Sequence, residues 1–497
     1  MSETLSLDTY QLTTLVAHAD AGRLDHTLSM AFFFRKMPKA RNFVLSCGLR
    51  PLLAHAAALR FDPGDLEALR SHPLLGPALA SRPALWDSLV RLDGFDGELD
   101  ALPDGTPAFA GPALRTDGSP FRIDDAQVTI YTPLAQVTCG LLQAKLIETP
   151  WLSAFNHGCM VASKAARVVL AAEGKAVLEF GQRRTHGAAA VDASYAAFVA
   201  GVAGTSNVRA WRKYGIPALG TMDHFAVQAA EQPGMSTLES ERAAFAGFYA
   251  AFPEASTLLV DTYDTLRGVE NAVRATDGKL QGVRLDSSVT PALVREVRAR
   301  LDMLGATQAR IFVSDGLDEY RVADLCAAGA DGFGVGENIT CSPDAPVGVG
   351  CVGKVVVNGY GRLTMKLARG SGKATLPGLL QVYRFADHDV IATADEAPAG
   401  GTPLLEPVWR GKQPLGPGRE SLLVSRTRAA HNISMLPPRL RALEVEPDRH
   451  ASGLAPYGPT RGASGALDPA RGWPLIVSDR LAHRISTCVA QALENPA

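Results

Sequence analysis

Charged residues, a histidine and glycine turns recur in this sequence where short apolar runs end. The apolar run at 216–220 leads to His224, three residues beyond Thr221. Five other run ends carry the same residue types: Arg183, Arg184 and His186; Asp261 and Asp264; Arg284, Asp286 and Ser287; Ser314 and Asp315; Gly334 and Gly336. Six such ends in succession favour an enzyme over a structural protein, because the carboxyl ends of parallel strands hold the active site in α/β folds.

These residue types suit a substrate that carries phosphate. A guanidinium group binds carboxylate or phosphate through two parallel hydrogen bonds. Aspartates suit Mg²⁺, which takes few carboxylates when phosphates supply its other oxygen ligands. Glycine turns expose backbone N–H groups that can hold a phosphate. The set therefore predicts a phosphorylated substrate, a metal ion and a second anion, although His224 alone would indicate little, because most histidines are surface or core residues.

Alternating strands and helices are expected to position these residues. Apolar runs predict strands at 174–181, 216–220, 256–261, 281–286, 309–315 and 332–336. Amphipathic or alanine-rich segments predict helices at 191–204, 238–252, 265–276, 290–304 and 317–330. This alternation is typical of βαβ units and a parallel sheet. The number of units favours a barrel, but a doubly wound sheet would give the same pattern.

Composition restricts the class of protein. The chain has 497 residues, of which 46% are hydrophobic and 20% charged, which is typical of a globular protein of two or three domains. A formal net charge of −2 argues against a nucleic acid or membrane partner bound by bulk charge. The seven cysteines show no C-x-x-C spacing, so we expect reduced thiols and no zinc site. Neither a signal peptide nor a membrane-spanning run is recognised, so a cytoplasmic location is expected.

A series of motifs, in one order, resembles the nicotinate phosphoribosyltransferase family. The resemblance runs from residue 8 to about residue 385, with weaker traces to 414. The motifs are DTYQLT, FFFRKMP, SKAARVVLAAEGK, EFGQRRTHG, GTSNV, YGIPALGTMDH, LLVDTYDTLRG, GVRLDSS, SDGLDE, FGVGENIT and KATLPG. So many motifs in one order make the resemblance specific.

The resemblance implies a fold and a division into domains. It implies an irregular α/β barrel with a second α/β sandwich domain, built from the N-terminal and post-barrel segments. We therefore expect residues 1–137 and 377–445 to form the sandwich domain and residues 138–376 to form the barrel. Residues 446–497 are expected to be a C-terminal extension, rich in Gly, Pro and Ala before an apolar run that resembles a helix. A homodimer with shared active sites is also implied.

The resemblance also implies an activity and a role for His224. The family joins nicotinate to phosphoribosyl pyrophosphate, giving nicotinate mononucleotide for NAD salvage, with ATP as co-substrate and Mg²⁺. His224 stands at the histidine that ATP phosphorylates in the family. A phosphoryl group there can act only by favouring one conformational state over another. Asp261 is expected to accept a hydrogen bond from His224, and Asp223 either to assist or to lie in a turn.

Further roles carry over to the base-binding site. Tyr10 resembles the aromatic residue that stacks on the pyridine ring across a dimer interface. Arg284 resembles the clamp for the carboxylate, and Arg183 a substrate-anion contact, whereas Arg184 has a structural alternative. Ser206 stands where relatives that use nicotinamide carry aspartate, and a serine there does not repel a carboxylate.

The sugar-phosphate site is implied by four other residues. Asp286 is expected to contact ribose hydroxyls or Mg²⁺, and it is the one metal-ligand candidate. Ser314 is placed among the substrate-binding residues. Gly334 and Gly336 are expected to line the 5′-phosphate site, with a tight turn as the alternative.

Some positions depart from the family pattern. Ser288 and Val289 replace glycine and an acid, and Phe225 replaces the serine after the histidine. Glu337 replaces threonine beside the expected phosphate site, where its charge is unfavourable unless Lys354, Lys366 or the metal compensates. These departures leave open a paralogue that acts on another heteroaromatic acid, or a non-catalytic homologue that binds ligand. A barrel aldolase or isomerase is less well matched, because the first five strand ends lack a lysine.

Overall fold

The chain folds as two units, and the second interrupts the first in sequence. The computed structural model describes residues 3–35, 37, 41–342, 348–367, 374–443 and 472–494. Unit 1 comprises residues 1–160 and 345–497, and unit 2 comprises residues 161–344. The predicted barrel, residues 138–376, begins 23 residues before unit 2 (161 − 138) and ends 32 residues after it (376 − 344).

The helices are of ordinary length apart from one of 31 residues. In chain order they are α1 (Thr9–Asp20), α2 (Leu49–Ala58), α3 (Pro63–Ser71), α4 (Leu75–Ala80), α5 (Pro83–Val90), α6 (Leu141–Ala171), α7 (Gly187–Val199), α8 (Val208–Tyr214), α9 (His224–Gln228), α10 (Thr237–Ala251), α11 (Thr265–Ala275), α12 (Pro291–Met303), α13 (Glu319–Ala327), α14 (Glu337–Thr340), α15 (Leu422–Met435), α16 (Pro438–Arg441) and α17 (Asp479–Glu494). Short 3₁₀ helices lie at Glu3–Leu5, Pro253–Ala255 and Gly416–Gly418.

The strands are short, none exceeding eight residues among those described. They are β1 (Thr27–Phe33), β2 (Val44–Leu45), β3 (Glu98–Ala101), β4 (Pro107–Ala108), β5 (Ala110–Leu114), β6 (Arg122–Ile123), β7 (Ala126–Gln127), β8 (Thr129–Tyr131), β9 (Pro133–Gly140), β10 (Ala176–Glu179), β11 (Gly204–Thr205), β12 (Thr257–Leu259), β13 (Gly282–Leu285), β14 (Arg310–Val313), β15 (Gly332–Val335), β16 (Val352–Val357), β17 (Leu380–Arg384), β18 (Asp389–Thr393), β19 (Thr402–Pro403), β20 (Glu406–Arg410), β21 (Gln413–Pro414) and β22 (Leu475–Val477).

Unit 2 is a parallel α/β unit. Its six strands lie in the order β11-β10-β15-β14-β13-β12, and every ladder between them is parallel. The predicted alternation of strands and helices is confirmed, with bounds that differ by a few residues. Among the described residues, no ladder joins the edge strands β11 and β12 to close a barrel. The structure therefore establishes a parallel sheet of α/β type.

One predicted strand is reduced to a single bridge. The segment 216–220 contributes only Ala218, which pairs with Thr205 in a parallel bridge. Leu219 N donates to the Thr205 carbonyl, and Thr205 N donates to the Pro217 carbonyl. Pro217 has no N–H to extend the ladder. The partner strand β11 is also short, because Asn207, two residues after its end, caps α8.

Side-chain caps start five of the helices that follow strand segments in unit 2, whereas α7 and α14 begin without one. In each of the five, a side-chain oxygen accepts a hydrogen bond from a backbone N–H in the first helical turn, which satisfies a group that has no partner within the helix. The capping residues are Asn207 for α8, Asp223 for α9, Asp264 for α11, Thr290 for α12 and Asp318 for α13. These caps set the point at which each strand-end loop turns into its helix.

Unit 1 contains two six-stranded sheets. One has the order β16-β1-β9-β3-β20-β21, and its ladders are antiparallel. The other has the order β19-β17-β18-β22-β5-β8 and is mixed. Both combine strands from before and after unit 2. Strand β16 was predicted within the barrel, but it pairs with β1 and therefore belongs to unit 1.

The predicted C-terminal extension contributes to a sheet of unit 1. The fully buried strand β22 pairs in parallel with both β18 and β5, and α17 follows it. Residues 446–471 of the predicted extension lie outside the described residues. The apolar run at 475–477 is a strand because it adds a central ladder partner to a sheet, a non-local pairing that local sequence does not indicate.

Two further sequence predictions concern cysteines and membrane spans. All seven cysteines are described as free thiols, and six of them are buried. Across the described ranges, no helix has both the length and the apolar character needed to cross a membrane.

Candidate active site

The strand-end loops of unit 2 bring several predicted residues into one connected cluster. His224 is the first residue of α9, and Asp261 lies two residues after the end of β12. Arg284 lies within β13, Asp286 follows it, and Ser314 follows β14. Because β12, β13 and β14 are neighbours in the sheet, these side chains meet at one edge. Asp223 is the cap of α9, since its carboxylate accepts from Ala226 N at 2.9 Å, which favours the turn alternative for this residue.

The histidine contacts a hydroxyl as well as a carboxylate. His224 Nδ1 lies 3.1 Å from Thr262 Oγ1, whereas Nε2 lies 3.8 Å from Asp261 Oδ1. The second distance is within ion-pair range but too long for the hydrogen bond expected with Asp261. The His224 side chain is 37% exposed, so one side of the ring remains accessible. Thr262 was not predicted, and its only sequence signal is a hydroxyl residue next to a strand-end aspartate.

Asp261 is a buried carboxylate with an unused oxygen. Its side chain is 2% exposed, and Oδ2 accepts from Asp286 N at 2.5 Å. Oδ1, the atom nearest His224, has no hydrogen-bond partner among the described residues. Burial raises the pKa of Asp261, while the Asp286 N–H and the His224 ring act to lower it. An unpaired buried oxygen is costly, so a proton or a positive charge on the imidazole would stabilise this arrangement.

Arg284 is largely buried and has donor capacity to spare. Its side chain is 11% exposed, and Nη1 donates to Thr221 Oγ1 at 2.7 Å. Nη2 lies 3.8 Å from Asp286 Oδ2, and Nε has no acceptor among the residues described. Burial lowers the pKa of Arg284, and Asp286 and Asp261 oppose that shift. A buried guanidinium with an unused N–H is suited to bind an anionic ligand.

Arg183 adds a second positive charge near Arg284. The positive charge of Arg183 acts to lower the pKa of Arg284. Arg183 is exposed and forms no hydrogen bond or ion pair through its side chain in the described part of the chain. Arg184 is also exposed, and its carbonyl accepts from Cys341 Sγ at 3.1 Å. The surroundings of Arg183 therefore leave it available to a ligand.

The loop after β13 keeps a backbone shape that favours glycine. Ser288, which replaces the family glycine, has a φ of +50°. Val289 is buried, and its N–H donates to Asp315 Oδ2 at 2.9 Å. Asp286 Oδ1 accepts from Ser314 Oγ at 2.8 Å. The loop thus retains a left-handed residue despite the substitution, at a conformational cost for serine.

The two glycines expected at a phosphate site are required by packing. A Cβ at Gly334 would lie 2.5 Å from the Phe180 ring, and one at Gly336 would lie 2.9 Å from the Phe180 carbonyl oxygen. Gly336 also precedes α14 as its N-cap residue. Glu337 is exposed and forms no ion pair with any described residue, so the expected cation partner is not found there.

A buried glutamate missed by sequence reasoning supports the neighbouring loops. Glu179 is fully buried, and its carboxylate accepts from Ser194 Oγ at 2.7 Å, from Thr205 Oγ1 at 2.6 Å and from Gly181 N. Its carbonyl accepts from Ser206 N at 2.9 Å, and Ser206 itself is exposed. Glu179 therefore ties the loop that carries Arg183 to the one that carries Ser206. The available signal was an acid that ends an apolar run.

Tyr10 belongs to unit 1, near the start of α1. It is 52% exposed, and Lys145 Nζ lies 5.4 Å from the centre of its ring. Burial and the negative charges of Glu148 and Asp8 raise the pKa of Tyr10. About half of Tyr10 is thus exposed.

The cluster is suited to a metal ion only if a substrate supplies most of the ligands. Within the described residues, no group of three or more His, Cys, Asp or Glu side chains is arranged to hold a metal ion. Asp286 already accepts from Ser314, and Asp261 is engaged by the Asp286 N–H. Mg²⁺ commonly uses one or two carboxylates together with substrate phosphates and water. The residues present fit that mode and do not form a complete protein cage.

A parallel α/β unit with arginine, aspartate and histidine at its strand ends defines an α/β enzyme that handles anionic substrates. Residues 176–352 match the model of the nicotinate phosphoribosyltransferase (NAPRTase) family. Nicotinate phosphoribosyltransferase pncB2 of Mycobacterium tuberculosis is 37% identical over 88% of this chain and 89% of its own length. The chain belongs to the nicotinate phosphoribosyltransferase family.

A more distant relative and one solved structure agree with this assignment, and a second solved structure shows the fold. Nicotinate phosphoribosyltransferase of Homo sapiens is 30% identical over 89% of this chain and 85% of its own length. The crystal structure of human nicotinic acid phosphoribosyltransferase superposes with a TM-score of 0.73 at 26% identity, covering 97% of this chain and 99% of that one. Nicotinate-nucleotide pyrophosphorylase from Pyrococcus furiosus, at 22% identity and a TM-score of 0.64 over 87% of this chain and 95% of that one, shares the fold.

Proposed function

We propose that this protein transfers the phosphoribosyl group of phosphoribosyl pyrophosphate to nicotinate, forming nicotinate mononucleotide for NAD salvage. Curated relatives 37% identical over 88% of the chain carry the name nicotinate phosphoribosyltransferase. The observation that carries the proposal is the buried Arg284, with an unused N–H, in one cluster with His224 and Asp261. In the reaction, the ring nitrogen of nicotinate bonds to the ribose C1 carbon while the bond from that carbon to pyrophosphate breaks.

The proposed fold of unit 2 is an irregular α/β barrel. Its sheet extends beyond β11 by the bridge between Thr205 and Ala218, which supports a seventh position in the ring. Closure then requires the segment 216–220 to approach β12. His224 and Thr262, which follow these two segments, contact each other at 3.1 Å. Unit 1 corresponds to the sandwich domain.

The base is held by residues that recognise a ring and a carboxylate. Arg284 binds the carboxylate of nicotinate through its unused N–H, and Arg183 contributes a second positive charge. In a homodimer, Tyr10 stacks on the pyridine ring of nicotinate bound to the neighbouring subunit. The 52% exposure of Tyr10 supports this role. Ser206 leaves space for the carboxylate without adding a negative charge.

ATP is coupled to the transfer through His224. An imidazole nitrogen attacks the γ-phosphorus of ATP, an N–P bond forms, and the bond to ADP breaks. The positive charge that develops on the imidazole is stabilised by Asp261, whose unpaired Oδ1 lies 3.8 Å from Nε2. Water later cleaves the N–P bond, which releases inorganic phosphate and regenerates the imidazole. The phosphoryl group acts by favouring a state that binds phosphoribosyl pyrophosphate tightly.

Mg²⁺ accompanies the phosphorylated substrates. Asp286 is the residue that would hold it, with the remaining ligands from phosphate oxygens and water. The ion would neutralise charge on the pyrophosphate group. Ser314, Gly334 and Gly336 complete the proposed sugar-phosphate site through the Ser314 hydroxyl and the backbone around the glycines.

One incubation tests the proposed activity and the choice of base. The purified protein is mixed with ATP, Mg²⁺, phosphoribosyl pyrophosphate and each of a panel of pyridine and pyrazine acids. We expect nicotinate to give its mononucleotide and pyrophosphate, with ADP formed in parallel. Faster turnover of another acid would replace nicotinate as the substrate, and no product with any acid would contradict the transferase activity.

A further inference from the structure

Two neighbouring strand-end loops of unit 2 carry groups assigned above to the sugar-phosphate site. The β13 loop, residues 286–289, begins with Asp286, and the β14 loop, residues 314–318, begins with Ser314. Ser314 Oγ donates to Asp286 Oδ1 at 2.8 Å, which joins the two loops where they leave the sheet. The other end of the β13 loop is joined to the β14 loop by a separate set of contacts, which have no part in the function proposed above.

Both backbone polar groups of Val289, at the end of the β13 loop, are held by one ion pair. The Val289 N–H donates to Asp315 Oδ2 at 2.9 Å, and the Val289 carbonyl accepts from Arg321 Nη2 at 3.1 Å. Arg321 Nη2 also donates to Asp315 Oδ2 at 3.1 Å. Asp315 and Arg321 therefore enclose the backbone of Val289, whose side chain is buried.

Arg321 is also fixed against the β14 loop. Its Nη1 donates to the Asp315 carbonyl at 2.6 Å, and its backbone N–H donates to Asp318 Oδ1, the cap of α13, at 2.9 Å. The Arg321 and Asp315 side chains are 38% and 23% exposed, and an ion pair that is partly open to solvent adds little stability through charge alone. The contribution of Arg321 is therefore geometric, because its planar guanidinium places several donors in fixed directions toward the two loops.

The β13 loop needs such support because of its backbone shape. Ser288, directly before Val289, has a φ of +50°, a left-handed conformation that a residue with a side chain adopts only at a cost. Strained residues of this kind persist where the surrounding contacts over-determine them. The hydrogen bonds at Val289 supply that constraint on one side of Ser288, and the hydrogen bonds of Asp286 supply it on the other.

We propose that Arg321 is a positioning residue for Asp286, acting with Asp315 through the backbone of Val289. The inference rests on the proposed function, in which Asp286 serves Mg²⁺ and phosphoribosyl pyrophosphate. Arg284, which binds nicotinate in that function, lies within β13 itself and does not depend on the far end of the loop. Loss of Arg321 is therefore expected to weaken the use of phosphoribosyl pyrophosphate much more than the use of nicotinate.

Hydrogen exchange of the protein without ligands tests the positioning directly. In Arg321→Ala, amides of peptides that cover 286–290 should exchange about tenfold faster, because the loop loses hydrogen bonds to a charged group. Arg295→Ala removes an exposed arginine from the neighbouring helix α12 and should leave this exchange unchanged. Equal exchange of these peptides in the wild-type protein and in Arg321→Ala would overturn the inference.

Steady-state kinetics test the consequence for the substrates. Arg321→Ala should raise the KM for phosphoribosyl pyrophosphate by about tenfold or more, as is usual when a group that orients a ligand-binding side chain is removed, and should change the KM for nicotinate much less. Arg321→Lys keeps the charge but lacks the planar fork, so it should recover only part of the loss. An equal rise of both KM values in Arg321→Ala would indicate a general defect and would overturn the positioning role.

Asp315→Ala separates positioning from direct contact of Arg321 with a substrate phosphate. Positioning predicts a higher KM for phosphoribosyl pyrophosphate, because the loop loses an acceptor. Direct contact predicts a lower KM, because a negative charge beside the arginine is removed, and that result would overturn the inference. Absence of product with wild-type protein would contradict the proposed function, and hydrogen exchange would then decide by itself whether Arg321 holds the loop.

Discussion

His224 lies within reach of a hydroxyl and of a buried carboxylate, and the hydroxyl is the nearer of the two. Its environment leaves 37% of the side chain open to a ligand and turns the unpaired oxygen of Asp261 toward the ring. These contacts suit a histidine that gains and loses a phosphoryl group. Substitutions of His224 and of its neighbour Thr262 therefore test the role of the imidazole and the role of the hydroxyl that contacts it.

The first prediction concerns phosphorylation of His224. ATP with Mg²⁺ should give a phosphoryl label that is labile in acid and stable in base. His224→Ala should abolish the label and the stimulation by ATP but retain slow transfer, since the C–N bond forms without the imidazole. The exposed His483 offers a matched control, because His483→Ala should keep both properties. Full labelling of the His224→Ala protein would remove His224 from the mechanism.

The second prediction concerns the hydroxyl that contacts Nδ1. Thr262→Val keeps the shape of the side chain but removes a hydrogen bond of about 0.5–1.5 kcal/mol, so phosphohistidine formation should slow by up to about tenfold. Thr262→Ser restores the hydroxyl and should restore most of the rate. The readout is the initial rate of ³²P incorporation together with the affinity for ATP. A slower rate in both variants would indicate that packing matters and the hydroxyl does not.

The third prediction concerns the carboxylate clamp. Removing a charged partner of a buried carboxylate costs about 2–5 kcal/mol, so Arg284→Ala should weaken binding of nicotinate by about two orders of magnitude or more. Binding of ATP should change much less. Arg310→Ala removes an exposed arginine from the neighbouring strand β14 and should affect neither ligand. Equal losses for nicotinate and ATP in Arg284→Ala would point to a folding defect.

At the scale of elements, side-chain caps and glycine positions determine where the site residues lie. Asp223 starts α9 immediately before His224, and Asp318 starts α13 shortly after Ser314. Gly334 permits β15 to approach Phe180 more closely than any Cβ would allow. The loop after β13 is the exception, because a serine occupies its left-handed position.

The fourth prediction concerns that loop. Ser288→Gly relieves a φ of +50° but adds freedom to the unfolded chain, so we expect a net gain in stability of about 0.5–1 kcal/mol. Transferase activity should be retained, since the loop already has the required shape. Urea denaturation measures the first effect and initial rates the second. Ser287→Gly, at the preceding residue with no positive φ, serves as the control and should destabilise the protein.

At the scale of the whole molecule, the first and last segments of the chain complete unit 1. Strand β1 pairs with β16, and β22 lies between β18 and β5. Tyr10 is carried by this unit and keeps an exposed ring. The proposed homodimer would let this ring serve the active site of a second subunit.

The fifth prediction concerns shared active sites. Tyr10→Ala and Arg284→Ala should each be impaired when assayed alone. If Tyr10 acts across the dimer, co-refolded mixtures should regain activity, because each mixed dimer has one site with neither substitution. Mixing at equal amounts should approach one quarter of wild-type activity, from half the dimers with one intact site of two. Activity no higher than the average of the two variants would exclude sharing through Tyr10.

The sequence by itself determined the alternation of strands and helices in unit 2 and the residue types at its strand ends. These features depend on local patterns, namely apolar periodicity, caps and turns, and the structure confirms the parallel sheet. Only the tertiary structure decided that 475–477 is a strand, that Thr262 contacts His224 and that Glu179 joins two loops. Each of these depends on residues distant in sequence meeting in space, and no local pattern specifies such pairings.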